Sequence, residues 1–237
     1  KRHQSSNQAL CGNGTREPAT SHIPLASMKI LGSEAETRAQ STYLRQLPPL
    51  QIQTLWEIYK ENVAPMIALL HKPSIEALIQ QVCTKTELKV GRASETLVLA
   101  ICFAAIVSAT PAQCLSIFGQ DRNSCISDFR RAVEQALSRA DLISTQDFPV
   151  LQAAVLFLLC LRWLDSRLAW AETAIVIRVA QRQGVHRDGQ FSGLSPFNTE
   201  MRRRLWWHIC VLDMLCSEDQ ETDTQIRPEM FNTKPPS

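Results

Sequence analysis

The residues best suited to chemistry lie together near the carboxyl end of the chain. His186, Arg187 and Asp188 are consecutive, and three arginines and two tryptophans follow within 202–207. A His-Arg-Asp triplet also occurs in the catalytic loop of protein kinases, where the aspartate acts as the base. The chain has neither the glycine-rich loop nor the D-F-G motif that accompanies such a loop, so the triplet does not indicate a kinase.

The basic and aromatic run at 202–207 has two interpretations. Arginines bind phosphates and indoles stack on bases, which is how single-stranded nucleic acid is held. The run also lies on a helical pattern in which Met201, Leu205 and Ile209 recur on one face. Tryptophans on a wide apolar face belong to a core, with arginine stems packed beside them and the charged ends paired or in water. We therefore favour a structural role over nucleic-acid binding.

No catalytic, cofactor-binding or metal-ligating residue is predicted, and the chain is not expected to be an enzyme. It contains no G-x-S-x-G, H-E-x-x-H or phosphate-loop motif, and no pair of carboxylates within an apolar helix face. His208 and Cys210 are two residues apart and point about 200° apart on a helix, so they cannot easily share a metal. The eight cysteines lack zinc-ligand spacing and mostly occupy apolar stretches, which predicts reduced core thiols in an intracellular protein.

The elements that position these residues are predicted to be helices. The chain has 237 residues, 45% of them hydrophobic, which is enough for a buried core. Apolar residues recur at helical spacing, and no segment shows the regular alternation of a strand. We predict an all-α domain of about seven packed helices with mostly antiparallel neighbours. They cover approximately residues 48–63, 74–82, 94–108, 123–139, 150–163, 169–182 and 195–216.

Composition divides the chain into three parts. Residues 1–46 are polar without a sustained apolar period and are predicted to be a mobile linker, and residues 47–216 form the helical domain. Residues 217–237 are expected to be a polar tail, the truncated continuation of that domain. The chain begins with Lys1 and shows no signal-peptide pattern, so we expect a fragment of a longer protein. Its apolar runs are shorter than the roughly 20 residues that span a bilayer, so no membrane partner is expected.

Two motifs near the carboxyl end form a pair that is specific in combination. The first is GVHRD at 184–188, and the second runs from RRRLWW at 202–207 to VLD at 211–213. Upstream, LHKPS at 70–74 and the Ala169-Trp170 pair that opens a helix accompany them. Over about residues 50–231 the chain resembles the fungal-specific regulatory region, or middle homology region, of zinc-cluster (Zn2Cys6) transcription factors. The family usually has leucine where Val185 stands here.

The chain departs from this family in two respects. Family members continue past the Asp213 region into a Gly-Arg-Pro turn, whereas residues 217–225 are acidic here and only Arg227-Pro228 is similar. The six-cysteine zinc cluster that binds DNA is also missing, since Cys11 stands alone in the linker. The resemblance therefore implies that zinc and DNA are bound only through a cluster upstream of Lys1, in a Cys-x2-Cys-x6-Cys arrangement absent from this chain.

The resemblance implies a regulatory role in the nucleus, acting on the transcription machinery. A small-molecule effector and a homodimer are further partners that it leaves open. A rival hypothesis is a stand-alone helical protein, derived from the same family, that binds a small molecule or a partner. The residues of the family motif are expected to be architectural: Gly184, His186, Arg187, Asp188, Arg202, Arg203, Arg204, Trp206, Trp207 and Asp213.

A physical hypothesis connects the two halves of the motif. Gly184 is expected to end one helix, because glycine accepts the left-handed conformation found at helix ends. The chain then turns, and Asp188 is placed to form an ion pair with an arginine of the next helix while His186 packs near the indoles. Such a pair would fix the geometry of the turn.

Overall fold

The computed structural model describes residues 43–84 and 91–237, and these residues are mostly helical, with no β-strand among them. This confirms the predicted all-α fold. Two short 3-10 turns at Gly189–Ser192 and Pro228–Met230 and a π-helical turn at Tyr59–Val63 accompany the α-helices. The α-helices are α1 (Tyr43–Gln46), α2 (Pro49–Ile58), α3 (Lys72–Thr84), α4 (Arg92–Ser108), α5 (Pro111–Phe118), α6 (Arg122–Arg139), α7 (Phe148–Leu161), α8 (Ser166–Arg182) and α9 (Pro196–Asp219).

Helix α4 lies at the centre of the fold. Every residue from Glu95 to Ile106 is buried, because α2, α6 and α7 pack around it. The sequence predicts this position, since an amphipathic stripe is absent and the helix is apolar almost all round. Helix α7 is buried to a similar degree from Val150 to Leu158 and packs against α4 on one side and α8 on the other.

Helices α8 and α9 pack on the side of α7. They pack closely on each other, and α7 contacts both. Leu205, Trp206, Ile209 and Leu212 of α9 are fully buried, in agreement with the apolar face expected from their spacing. Helices α8 and α9 together position the motif residues, because the first motif follows the end of α8 and the second lies within α9.

Several helix ends differ from the sequence-based expectation. Helix α5 was not predicted, although Thr110 and Gln113 form a reciprocal capping box at its start and Pro111 occupies its first position. Helix α3 begins at Lys72, before the predicted start at residue 74, and the Ser74 hydroxyl lies 2.8 Å from Nδ1 of His71. Ser195 does cap α9, accepting from the backbone N–H of Asn198.

The predicted domain boundaries also differ from the observed elements. The last four residues of the predicted 1–46 linker form α1, in which Leu44 is buried, while residues 1–42, including Cys11, lie outside the described part. Helix α9 continues to Asp219, past the predicted boundary at residue 216. The stretch 226–237, expected to be a polar tail, packs against the motif residues because its backbone finds hydrogen-bond partners there, as described below.

The seven cysteines in the described part of the chain are free thiols, and five are buried: Cys102, Cys114, Cys125, Cys160 and Cys216. Across residues 43–84 and 91–237, no group of three or more His, Cys, Asp or Glu side chains is arranged to hold a metal ion. Within the same ranges, no helix combines the length and the apolar character needed to cross a membrane.

Candidate functional site

The site begins with the turn that ends α8. Gly184 has φ of +68°, a left-handed conformation in which a side chain is strained, so glycine is strongly favoured here. The turn is closed by backbone hydrogen bonds from Gly184 to Gln181 and from Val185 to Ala180. A guanidinium N–H of Arg202, on the facing helix α9, donates to the carbonyl of Gln183 at 2.6 Å. The first arginine of the triplet therefore caps the end of α8.

Asp188 forms the expected ion pair, and its partner is Arg203. The Nε and Nη2 groups of Arg203 donate to the two carboxylate oxygens of Asp188 at 2.8 and 3.0 Å, a two-point geometry. Asp188 is fully buried, whereas the side chain of Arg203 remains 16% exposed. The Asp188 carboxylate also accepts the backbone N–H of Gln190 at 3.0 Å, which caps the 3-10 turn at 189–192.

The pKa values follow from these contacts. The hydrogen bonds from Arg203 hold the pKa of Asp188 far below its usual value, more than offsetting the opposing effect of burial. The backbone N–H groups of Lys234 and Gln190 act in the same direction. Burial lowers the pKa of His186, and the nearby charges of Arg187 and Arg202 lower it further. Asp188 is therefore a fixed negative charge and His186 is neutral near pH 7.

The motif residues bind a stretch of the chain's own backbone, residues 226–237, which we call the C-terminal segment. The backbone N–H of Asn232 donates to the carbonyl of His186 at 3.2 Å, and the Asn232 side chain accepts the N–H of Asp188 at 3.0 Å. The Thr233 hydroxyl donates to the carbonyl of Val185 at 3.0 Å, and the N–H of Lys234 donates to Asp188 at 3.0 Å. Thr233 is buried by these contacts.

Aromatic contacts hold the same segment from the side of α9. The ring of Phe231 lies 5.5 Å from Trp206 and 5.9 Å from Trp207, between centroids. The indole N–H of Trp207 donates to the carbonyl of Lys234 at 2.9 Å. Trp206 also lies 5.9 Å from the His186 ring, so the histidine packs near an indole as expected.

The ends of the segment are fixed by carboxylates of α9. Asp213 accepts the backbone N–H of Ile226 at 2.8 Å, and Glu200 accepts the N–H of Ser237 at 3.2 Å. Arg204 forms an ion pair with Glu200 at 2.9 Å, so it acts on the C-terminal segment indirectly, through Glu200. Arg187 is exposed, and only its backbone contributes to the turn, through a bond from its N–H to the carbonyl of Gly184.

Nine of the ten motif residues thus belong to one structure, a clasp in which α8, α9 and the turn between them hold the C-terminal segment. The tenth, Arg187, is exposed. The sequence analysis missed the segment itself, and with it Phe231, Asn232 and Thr233. An aromatic residue in a polar stretch after Arg227-Pro228 is the signal that was available. Most of the contacts use backbone groups, which no side-chain pattern reveals.

Comparison with known proteins places the chain in a family. The sequence model of one protein family, the fungal specific transcription factor domain, matches residues 56–231, which include both motifs and Phe231. The chain belongs to this family. The resemblance inferred from the motifs is therefore confirmed.

The relatives of the chain are fungal transcription factors. The chain is 38% identical to the aurofusarin cluster transcription factor aurR2 of Gibberella zeae, over 74% of the chain and 26% of that protein. It is 33% identical to the pyriculol/pyriculariol biosynthesis cluster transcription factor 1 of Pyricularia oryzae, over 87% of the chain and 28% of that protein. It is 36% identical to the C6 finger domain transcription factor nscR of Aspergillus fumigatus, over 74% of the chain and 23% of that protein.

The chain thus spans about a quarter of the length of these relatives. No solved structure matches it. Relatives named as transcription factors do not favour the rival hypothesis of a stand-alone binding protein, and they suggest a function other than catalysis.

Proposed function

We propose that this chain is the regulatory domain of a fungal zinc-cluster transcription factor and controls transcription by RNA polymerase II in the nucleus. DNA and zinc are bound by a cluster encoded elsewhere in the gene, and the helical domain acts on the transcription machinery. Membership of the fungal specific transcription factor domain family supports this role. A small-molecule effector and a homodimer, which the family resemblance leaves open, stay predictions.

The observation that carries the proposal is the clasp. Its charged residues, Asp188 and Arg203, are paired with each other and with the chain's own backbone. A catalytic site needs polar groups directed at a substrate, whereas these groups fix the position of a chain segment. A domain that holds one of its own segments in a defined place is suited to presenting or restraining neighbouring parts of the same protein.

The names of the relatives support a more specific role. One is named for the aurofusarin cluster and another for pyriculol/pyriculariol biosynthesis. We therefore propose that the genes controlled by the present protein form a biosynthetic cluster.

The complete gene, expressed in its own fungus, tests this function. One strain carries a deletion of the codons for residues 43–237, a second carries Asp188→Ala, and a third carries Asp128→Ala as a matched control on an exposed ion pair. Transcript sequencing and chromatin immunoprecipitation are read together. We expect the deletion and Asp188→Ala to change transcripts of one contiguous gene set while the protein stays on its DNA sites, and Asp128→Ala to match the wild type.

Unchanged transcripts in the deletion strain, with chromatin occupancy retained, would overturn the regulatory role. A complete reading frame without a Cys-x2-Cys-x6-Cys pattern would overturn the assignment of DNA binding to the whole protein.

A further inference from the structure

A cluster of charged residues, two of them buried, lies away from the clasp, at the first half of α8. Glu172 of α8 is 2% exposed, and Glu134 of α6 is 7% exposed. Asp165, the residue that caps α8, and Arg130 of α6 complete the cluster. It contains three carboxyl groups and one guanidinium group, so the charges cannot all be paired if every carboxyl is ionised.

Arg130 already forms ion pairs with two of the carboxylates. Its Nε lies 2.8 Å from Glu134, and its Nη2 lies 3.6 Å from Asp165. The Asp165 carboxylate also accepts the backbone N–H of Leu168 at 3.1 Å, as a helix cap. Glu172 receives no such partner: among the described residues, its Oε2 atom is buried and makes no hydrogen bond.

Among the described residues, Arg130 is the one positive charge that acts on Glu172, and it is shared with Glu134 and Asp165. Helix α7, which packs on α8, has no charged residue, and its one titratable group is the buried thiol of Cys160. The groups that act electrostatically on Glu172 are Glu134, Arg130 and Asp165, and none of the described residues of α9 is among them. An ionised carboxylate at this place would be both desolvated and beside a like charge.

We propose that Glu172 is a proton switch for the packing of α8. At neutral pH its carboxyl group is protonated and α8 packs closely; at alkaline pH the proton passes to water, and the resulting buried negative charge loosens the helix. Burial, and after it the charge of Glu134, raise the pKa of Glu172 to about 8, which agrees with this assignment. The turn at Gly184 follows the end of α8, so loosening this helix also weakens the support of the clasp.

The switch has a defined thermodynamic sign. The pKa of Glu172 is higher in the folded protein than in the unfolded chain, so the stabilisation is complete below the unfolded value near 4.5 and is lost as pH rises through about 8. Rising pH also destabilises the fold through buried thiols such as Cys160, which ionise more readily in the unfolded chain than in the folded protein. This second effect begins only at pH values approaching 9. The informative window is therefore pH 6.5 to 8.5.

The test measures the thermal midpoint of the 237-residue chain across this window, for the wild type, Glu172→Gln and Glu218→Gln. Glutamine keeps the shape of the protonated carboxyl group and cannot ionise, and Glu218 is an exposed glutamate of α9 that serves as the matched control. We expect the wild type and the control to lose about 5 °C more than Glu172→Gln between pH 6.5 and 8.5. Equal losses in all three proteins would overturn the proposal.

A second measurement does not depend on the folding of a variant. Carbon-13 NMR of the wild type, with the Glu172 carboxyl resonance assigned through its backbone, gives the protonation midpoint directly. A midpoint at or above about 7 supports the switch, and a midpoint below about 7 overturns it.

Discussion

Replacing Asp188 by alanine removes the centre of the clasp. The carboxylate accepts four hydrogen bonds, two from Arg203 and one each from the backbone of Gln190 and Lys234. The substitution leaves a guanidinium group and two backbone donors without their acceptor. Breaking a buried ion pair typically costs 3–5 kcal/mol, and because Arg203 keeps 16% exposure to water we expect the lower end, about 3 kcal/mol.

Urea denaturation of the purified chain measures this loss, with Asp128→Ala as the control. Asp128 and Arg131 are 3.5 Å apart, with side chains 38% and 59% exposed, so their pair is expected to contribute less than about 1 kcal/mol. A free energy of unfolding for Asp188→Ala within about 1 kcal/mol of the wild type would refute the assigned role of the ion pair.

The same variant carries a pH signature. The pKa of Asp188 is lowered in the folded protein, so its stabilisation is present above the ordinary aspartate pKa near 4 and is lost as pH falls further. We expect the difference in stability between wild type and Asp188→Ala to shrink on acidification below about pH 4. A difference that stays constant or grows there would contradict the assignment of the charge to Asp188.

Three further outcomes are expected. Gly184→Ala should destabilise the fold by about 1 kcal/mol in thermal unfolding, because φ is +68° there. Gly91→Ala should cost less, because an added Cβ meets open space, φ is −59°, and only the preference of the α4 N-cap for glycine over alanine is lost. Phe231→Ala should shift tryptophan emission to longer wavelength by exposing the two neighbouring indoles, and Phe191→Ala, whose ring is 74% exposed, should not. A thiol reagent should label the partly exposed Cys83 before the five buried cysteines; equal rates would contradict the packing.

The central helix and the ion pair illustrate what the sequence predicts well. Residues 95–106 are apolar enough on every side that burial at the centre is the expected outcome. An aspartate after a helix-ending glycine, followed by arginines on the next helix, likewise predicts a charge pair. The sequence does not predict which arginine pairs, because successive residues of a helix point about 100° apart and the rotation of α9 is set by its packing on α7 and α8.

The C-terminal segment and Glu172 show why other features were missed. The segment is held largely through backbone N–H and carbonyl groups, which leave no periodic pattern in the sequence. A pair of carboxylates can be read from the sequence when both lie on one helix face, whereas Glu134 and Glu172 belong to different helices and influence each other only in the folded chain. Helix α5 did have a readable signal, the Thr110-Pro111-Ala112-Gln113 capping box.

Amide hydrogen exchange of the C-terminal segment is the most direct test of the clasp. In the wild type, the N–H groups of Asn232 and Lys234 should exchange slowly, because they donate to His186 and Asp188. In Asp188→Ala both should exchange at rates near those of an open chain, while the amides of the buried helix α4 stay protected. Rapid exchange at both positions in the wild type would contradict the conclusion that the family motif holds this segment.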